Sequence, residues 1–191
     1  RAQLTGAIAG LHTAIANPFF SVGVQADLMN SDINALYISQ SGLTMGDRDY
    51  YLDPENENIR TAYKEYLGKL FRLAGIPEAD IEKAVAGVMN IETKLAEKSW
   101  SNTELRDIPA QYNPTAKAEF EKTYDAIDWP AYYKAMGIGD FDTIIVTTKS
   151  SIANANDLMK NAPLEDIRYY LAAQYLDDAA SYLSDDFQQA S

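Results

Sequence analysis

The chain has 191 residues, with 16 Lys and Arg against 28 Asp and Glu, a net charge of −12, one histidine and no cysteine. That balance argues against nucleic acid or an anionic membrane surface as a partner, because both need clustered Lys and Arg. The residue counts exclude disulfides, thiolate zinc sites, cysteine nucleophiles and two-histidine metal sites within this chain. At 47% apolar and 23% charged, the composition is that of a globular protein rather than a disordered one. No apolar run approaches the ~18 residues needed to span a bilayer.

The elements follow from periodicity. Residues 2–16 carry Leu4, Ala7, Ile8, Leu11 and Ile15 at helical spacing, and Asn17-Pro18 ends the run. From Phe20 the period changes to two: Phe20, Val22, Val24 and Ala26 alternate with Ser21, Gly23, Gln25 and Asp27, which predicts a strand. Asn30-Ser31-Asp32 offers turn chemistry, and Ala35 to Gln40 reads as the second strand of a hairpin, closed by Ser41-Gly42. Asp53-Pro54 then opens a helix with the apolar stripe Ile59, Tyr63, Tyr66, Leu67, Leu70, Phe71 and Ala74, stopped by Gly75. Pro77 starts a second strong helix with the stripe Ile81, Val85, Val88, Met89, Leu95 and Ala96. A polar connector from about Ser99 to Asn113 leads to shorter helices over Thr115–Ile127 and Trp129–Met136. Thr143 to Thr147 is β-branched and short, so a third strand is expected. A helix near Ser151–Asn161 and a long one from Pro163 to about Leu183 follow. The expected fold is mainly α, a multi-helix domain with a small antiparallel β-hairpin or three-stranded sheet. No linker divides residues 1–191, which read as a single helical segment. Arg1 leads straight into a helix and Gln188 to Ser191 end without a cap, as expected of a piece of a longer polypeptide.

Few residues carry chemistry. The chain has no H-E-x-x-H, no phosphate-binding G-K-[ST], no G-x-S-x-G and no G-x-G-x-x-G. His12 lies beside the apolar stripe of the first helix and is expected to pack or hydrogen-bond. Asp53 to Glu57 resembles the start of a calcium loop. It has Asn58 where the sixth-position glycine belongs and Lys64 where a bidentate glutamate belongs, so it reads as an acidic helix start. Glu92 falls on the apolar stripe of its helix, where a carboxylate must be paired or protonated. It is a general acid, a metal ligand or half of a buried ion pair; the ion pair is favoured, with Arg106 as the partner. Asp47-Arg48-Asp49-Tyr50-Tyr51-Leu52 would line a polar pocket or be a loop pinned by Arg48, with tyrosine rings buried and hydroxyls bonded. Most of the thirteen tyrosines sit on helical stripes and are expected in the core.

Pro18-Phe19-Phe20, Gln25-Ala26-Asp27, Asn30-Ser31, Gln40-Ser41-Gly42-Leu43 and the Asp47–Leu52 cluster stand in the order and spacing of the neprilysin family of zinc metallopeptidases. That family includes endothelin-converting enzyme and the bacterial oligopeptidase O type. The likeness runs on through Glu92-x-x-Leu95-Ala96, Arg106-Asp107, Tyr112-Asn113, Trp129, Ile145-Val146 and Leu183-Ser184, essentially the whole chain. The resemblance implies part of the family's N-terminal region, a mostly helical cap enclosing a chamber that admits only small peptides. It implies a parent chain that hydrolyses peptides with a zinc-activated water held by H-E-x-x-H and a later E-x-x-x-D. Both motifs belong to a C-terminal catalytic domain not contained here. Zinc would be the parent's cofactor and this segment would bind none. No catalytic or metal residue maps onto any position, and substrate-binding positions are unassigned. The implied partners are peptide substrates and the catalytic domain of the same chain. Zero cysteines argue against the disulfide-bonded animal ectoenzymes and for a bacterial origin. Bacterial members of the family are cytoplasmic or exported, and an exported location, periplasmic or at the surface, is expected slightly ahead of the cytoplasm. The rival reading is a stand-alone acidic helical binding module.

Overall fold

The computed structural model describes residues 2–14 and 16–180. Helix α1 (Ala2–Ala14) buries Thr5, Ile8 and Ala9, and Leu4 packs against the same core. The chain then turns through Pro18 to Phe19, whose φ of 65° is the one positive value at a non-glycine among the described residues. Such a backbone is strained for an aromatic residue and persists only where its surroundings hold it.

Strands β1 (Phe20–Asp27) and β2 (Asn30–Gln40) form the expected antiparallel hairpin, with Phe20 opposite Gln40 and Asp27 opposite Asn30. The turn lies at Leu28-Met29 rather than at Asn30-Ser31-Asp32. Two side chains set it there. The Asp27 carboxylate accepts the Met29 N–H at 2.8 Å, and the Tyr37 hydroxyl accepts the Leu28 N–H at 3.0 Å while donating to the Ala26 carbonyl at 3.1 Å.

After a long helical excursion, β3 (Pro114–Ala116) and β4 (Thr143–Val146) complete a sheet of order β1-β2-β4-β3. The expected small sheet is present, with a fourth strand and one parallel pair: β4 runs parallel to β2, Leu36 beside Ile144 and Ile38 beside Val146. Its three apolar residues Ile144, Ile145 and Val146 are all buried, the continuous pattern of an interior strand covered on both faces. Pro114 has no N–H to give, which suits β3 to the edge. The helix expected over Thr115–Ile127 is shortened by this strand to α5 (Lys117–Thr123).

The other helices are a short α2 (Asp49–Leu52), α3 (Glu57–Leu73), α4 (Glu78–Lys98), α6 (Trp129–Met136), α7 (Lys149–Asn161) and α8 (Leu164–Ala179). The expected extension of the last helix to Leu183 lies outside the described residues. Two apolar cores result. One gathers α1, the sheet, α5, α6 and α7 around Phe20, Ile38, Trp129, Tyr132 and Val146; the other sits between α2, α3 and α4 around Tyr63, Leu67, Phe71 and Val88. Helices α4 and α8 serve both: Ile91, Leu95, Ile167 and Tyr170 face the first, Ala84, Val88 and Ala173 the second. They approach closely at Gly87, where a Cβ would lie 3.0 Å from the Asp166 carboxylate and 3.3 Å from its Cα.

Candidate functional site

Glu92 is the one acidic side chain fully buried among the described residues. Helix α4 places it there because its position falls on the stripe that faces α2, α3 and the 41–47 loop. One carboxylate oxygen accepts the Thr44 N–H and the Tyr51 hydroxyl, each at 2.7 Å; the other accepts the Tyr63 hydroxyl at 2.5 Å. No ion pair with Arg106 forms. Arg106 lies exposed on a 3-10 turn, Glu104–Arg106, and Glu92 is held by neutral donors instead. The physical reason is desolvation: a guanidinium brought to this position would lose its own water, whereas two tyrosines bury apolar rings and deliver only their hydroxyls. Burial pushes the Glu92 carboxyl above the usual carboxylate range, against the downward pull of Tyr63, Thr44 and Tyr51. Burial, then the nearby carboxylate, raises both tyrosines in turn, so their hydroxyls stay protonated as donors.

A second buried tyrosine centre adjoins the first. The Tyr170 hydroxyl accepts the N–H of strained Phe19 at 3.1 Å and donates to the Gly42 carbonyl at 2.9 Å. Gln174 donates to the Thr44 hydroxyl at 2.9 Å. Gly42 has φ +94°, and a Cβ there would collide with the Tyr170 hydroxyl and sit 2.7 Å from the Phe19 nitrogen. Together these bonds tie the Phe19 bend and the Gly42–Tyr51 loop to α3, α4 and α8.

The Asp47–Leu52 cluster divides. Tyr51 points inward to Glu92, while Tyr50 is exposed. Arg48 donates to the Ser99 carbonyl at 3.0 Å, and Asp47 accepts the Asp49 N–H at 2.9 Å and the Asn102 N–H at 3.3 Å. This is a pinned loop. Asp53 caps the following 3-10 turn, Pro54–Asn56, by accepting the Glu55 N–H at 2.9 Å, as its reading as a helix start requires.

His12 is part-buried against Phe20 and Tyr132. Its Nε2 lies 3.1 Å from the Pro18 carbonyl and must donate, so Nδ1 accepts from the Tyr132 hydroxyl at 2.6 Å. Burial lowers its pKa, the Pro18 bond opposing. Both ring nitrogens are thereby committed to the fold. Zinc coordination needs several neutral imidazoles, thiolates or carboxylates converging on one point. Among the described residues no group of three His, Asp or Glu is so arranged, and the donor set does not fit a zinc site. Nor is any described helix long and apolar enough to cross a membrane.

Sequence reasoning marked Glu92 but missed its partners. The only signal was general and did not name the pair: Tyr63 stands on a buried stripe and needs an acceptor, as Glu92 needs donors.

The described residues thus form helices around a small mixed sheet, with a buried carboxylate satisfied by neutral donors. The family model for the N-terminal region of Peptidase family M13 matches residues 1–191, and the chain belongs to that family. It is 31% identical over 180 residues to endothelin-converting enzyme 1 of Mus musculus, covering 91% of this chain and 23% of that enzyme. It is 26% identical over 172 residues to the neutral endopeptidase of Lactobacillus helveticus, covering 90% of this chain and 27% of that one. Among solved structures, the open-state zinc metalloprotease Zmp1 of Mycobacterium tuberculosis superposes with a TM-score of 0.92 at 22% identity, over 98% of this chain and 30% of its own. PepO from Lactobacillus rhamnosis superposes at 0.78 with 19% identity, over 98% and 30%. The chain therefore spans about a quarter of the length of the curated relatives it matches.

Proposed function

We propose that these residues form a non-catalytic helical part of the N-terminal region of a zinc metalloendopeptidase, enclosing the chamber in which small peptides are cleaved. The observation that carries this reading is a family match over the whole chain that spans only about a quarter of the length of its relatives. The chemistry then belongs to a catalytic domain on the same polypeptide. When bound there, zinc activates a water for attack on the peptide carbonyl. The residues described here contribute rigidity: the Glu92 and Tyr170 bonds hold loop, bend and helices in one arrangement, so that a chamber wall keeps its shape during turnover. An exported bacterial enzyme, periplasmic or at the cell surface, is the location proposed.

The test is made on the whole polypeptide encoded with this segment. It should cleave short peptides, lose that activity to a chelator and regain it with added zinc, while large folded proteins remain uncut. A full-length chain that cleaves no peptide with zinc present, but binds ligands through this segment, would replace this reading with that of a binding module. Fractionation of the native host would decide the compartment.

A further inference from the structure

The outer half of the β1–β2 hairpin lies at the surface, tied to the body at Asp27, which accepts the Tyr112 hydroxyl at 2.9 Å. Residues 23–26 and 30–34 are all exposed. A ribbon wetted on both faces ordinarily carries polar side chains on both. This one carries Val24, Leu28, Met29 and Ile33, which are 65%, 47%, 74% and 53% exposed. Met29 and Val24 are the two most exposed large apolar side chains among the described residues. Even the two turn positions are Leu28 and Met29, where apolar residues gain nothing from water.

The sheet order makes β1 an edge strand, so its outward N–H and C=O groups have no neighbouring strand among the described residues. Proteins usually blunt such an edge with lysine, proline or a cover. Phe20-Ser21-Val22-Gly23-Val24-Gln25-Ala26-Asp27 has no lysine, arginine or proline. Over one face of the ribbon, where Val24 pairs with Leu36, opens a cleft of about 450 Å³ between Val22, Val24 and Leu36 and, opposite them, Met136 at the end of α6 with Ile138 and Phe141 of the α6–β4 connection. The charges around this seat are mainly acidic: Asp27, already bonded to Tyr112, and Asp32 on the ribbon and Asp140 at the cleft, against Lys117, whose Nζ lies 5.1 Å from the Phe141 ring; residues 20 to 40 hold no Lys or Arg.

The geometry points to strand addition: an extended apolar segment with flanking basic residues, from the remainder of the same polypeptide, pairs with the β1 edge, sets side chains in the cleft and covers Val24 and Met29. Main-chain bonds to β1 would supply affinity and the alternate side chains the register. The occupant is assigned to the same polypeptide because this chain spans 23% of the mouse relative and 30% of the mycobacterial one. Most of an M13 polypeptide of that length is therefore available to cover the ribbon. The inference rests on the proposed membership of a longer chain, and it names the face through which this part joins the rest.

The absence of cysteine from these residues provides the test. Val24→Cys and Met29→Cys are introduced singly into the full-length protein, and thiol labelling at each site is followed by mass spectrometry of the hairpin peptide. Both thiols should label at least ten-fold more slowly in the native protein than in urea, and the β1 peptide should resist hydrogen exchange to the same degree. Labelling within two-fold of the unfolded rate would overturn the inference. So would protection that disappears on dilution with a halving of mass, which assigns the face to a second copy. Protection that requires added peptide assigns it to substrate, with the same consequence. Chelator-sensitive cleavage is measured on the same samples: active enzyme with freely labelled thiols removes only the docking face, and inactive enzyme with protected thiols removes only the peptidase reading.

Discussion

Replacing Gly42 by alanine tests the centre that joins the strained Phe19 bend to α8. The glycine has φ +94°, and the space for a Cβ is already taken by the Tyr170 hydroxyl and the Phe19 nitrogen. An L-residue in that backbone region costs about 1–2 kcal/mol. Displacing the hydroxyl breaks its bonds to the Gly42 carbonyl and the Phe19 N–H, and an orphaned buried donor adds about 1–3 kcal/mol. Counting the lost bonds once, the expected destabilisation is about 2–5 kcal/mol. Tyr170→Phe alone removes the same bonds without the backbone strain and should cost about 1–3 kcal/mol. The double variant should fall short of the sum by about 1–3 kcal/mol, since the hydroxyl can be lost only once. Hydrogen exchange read on peptides covering residues 16–27 and 164–176 of the whole polypeptide reports the local opening free energy. A Gly42→Ala effect below about 1 kcal/mol, or strict additivity with Tyr170→Phe, would refute the steric reasoning.

The buried carboxyl makes a pH-dependent prediction. Glu92 holds its proton more tightly folded than unfolded, so its contribution is whole below the unfolded value of 4.5 and is lost as pH rises through the raised folded value. Glu92→Gln cannot ionise; its stability relative to the native sequence should climb above about pH 5, by about 1.4 kcal/mol per unit of elevation. Parallel stability–pH curves from pH 4 to 9 would contradict it. His12 has the opposite sign: its lowered pKa gives stability that is whole above 6.5 and is lost as pH falls through the folded value, and His12→Gln should flatten that acid slope in urea titrations. Trp129 is buried against Phe20, Phe120, Tyr132 and Tyr133 and donates to the Tyr124 carbonyl. Trp129→Phe should cost about 2–4 kcal/mol through the void and the unpaired carbonyl, read as a lowered urea midpoint for the exchange of α6 amides.

Much of the helical frame was legible because amphipathic spacing is local. The stripe of α3 picked out Tyr63, Leu67, Leu70 and Phe71, all buried, and Trp129–Met136 was bounded by its own cap, Asp128, and by Gly137. The hairpin was legible from its period of two, but its turn was not. Asn30-Ser31-Asp32 has the better turn chemistry by composition, and Leu28-Met29 turns because Tyr37 and Asp27 reach back to hold it. Glu92 was legible as a buried acid from its place on a stripe. Its partners were not, because Tyr51 and Tyr63 are 41 and 29 residues away and nothing local distinguishes a donating hydroxyl from a guanidinium.

By itself the sequence determined the helical class, the exclusion of thiolate and two-histidine metal sites and the family, since these depend on periodicity, residue counts and ordered motifs. The tertiary structure alone decided that β4 pairs parallel with β2, that neutral tyrosines rather than Arg106 satisfy Glu92, and that Val24, Leu28, Met29 and Ile33 of the hairpin lie exposed. Each depends on which distant groups meet. That choice is made by burial and desolvation across the whole chain, which no local pattern encodes.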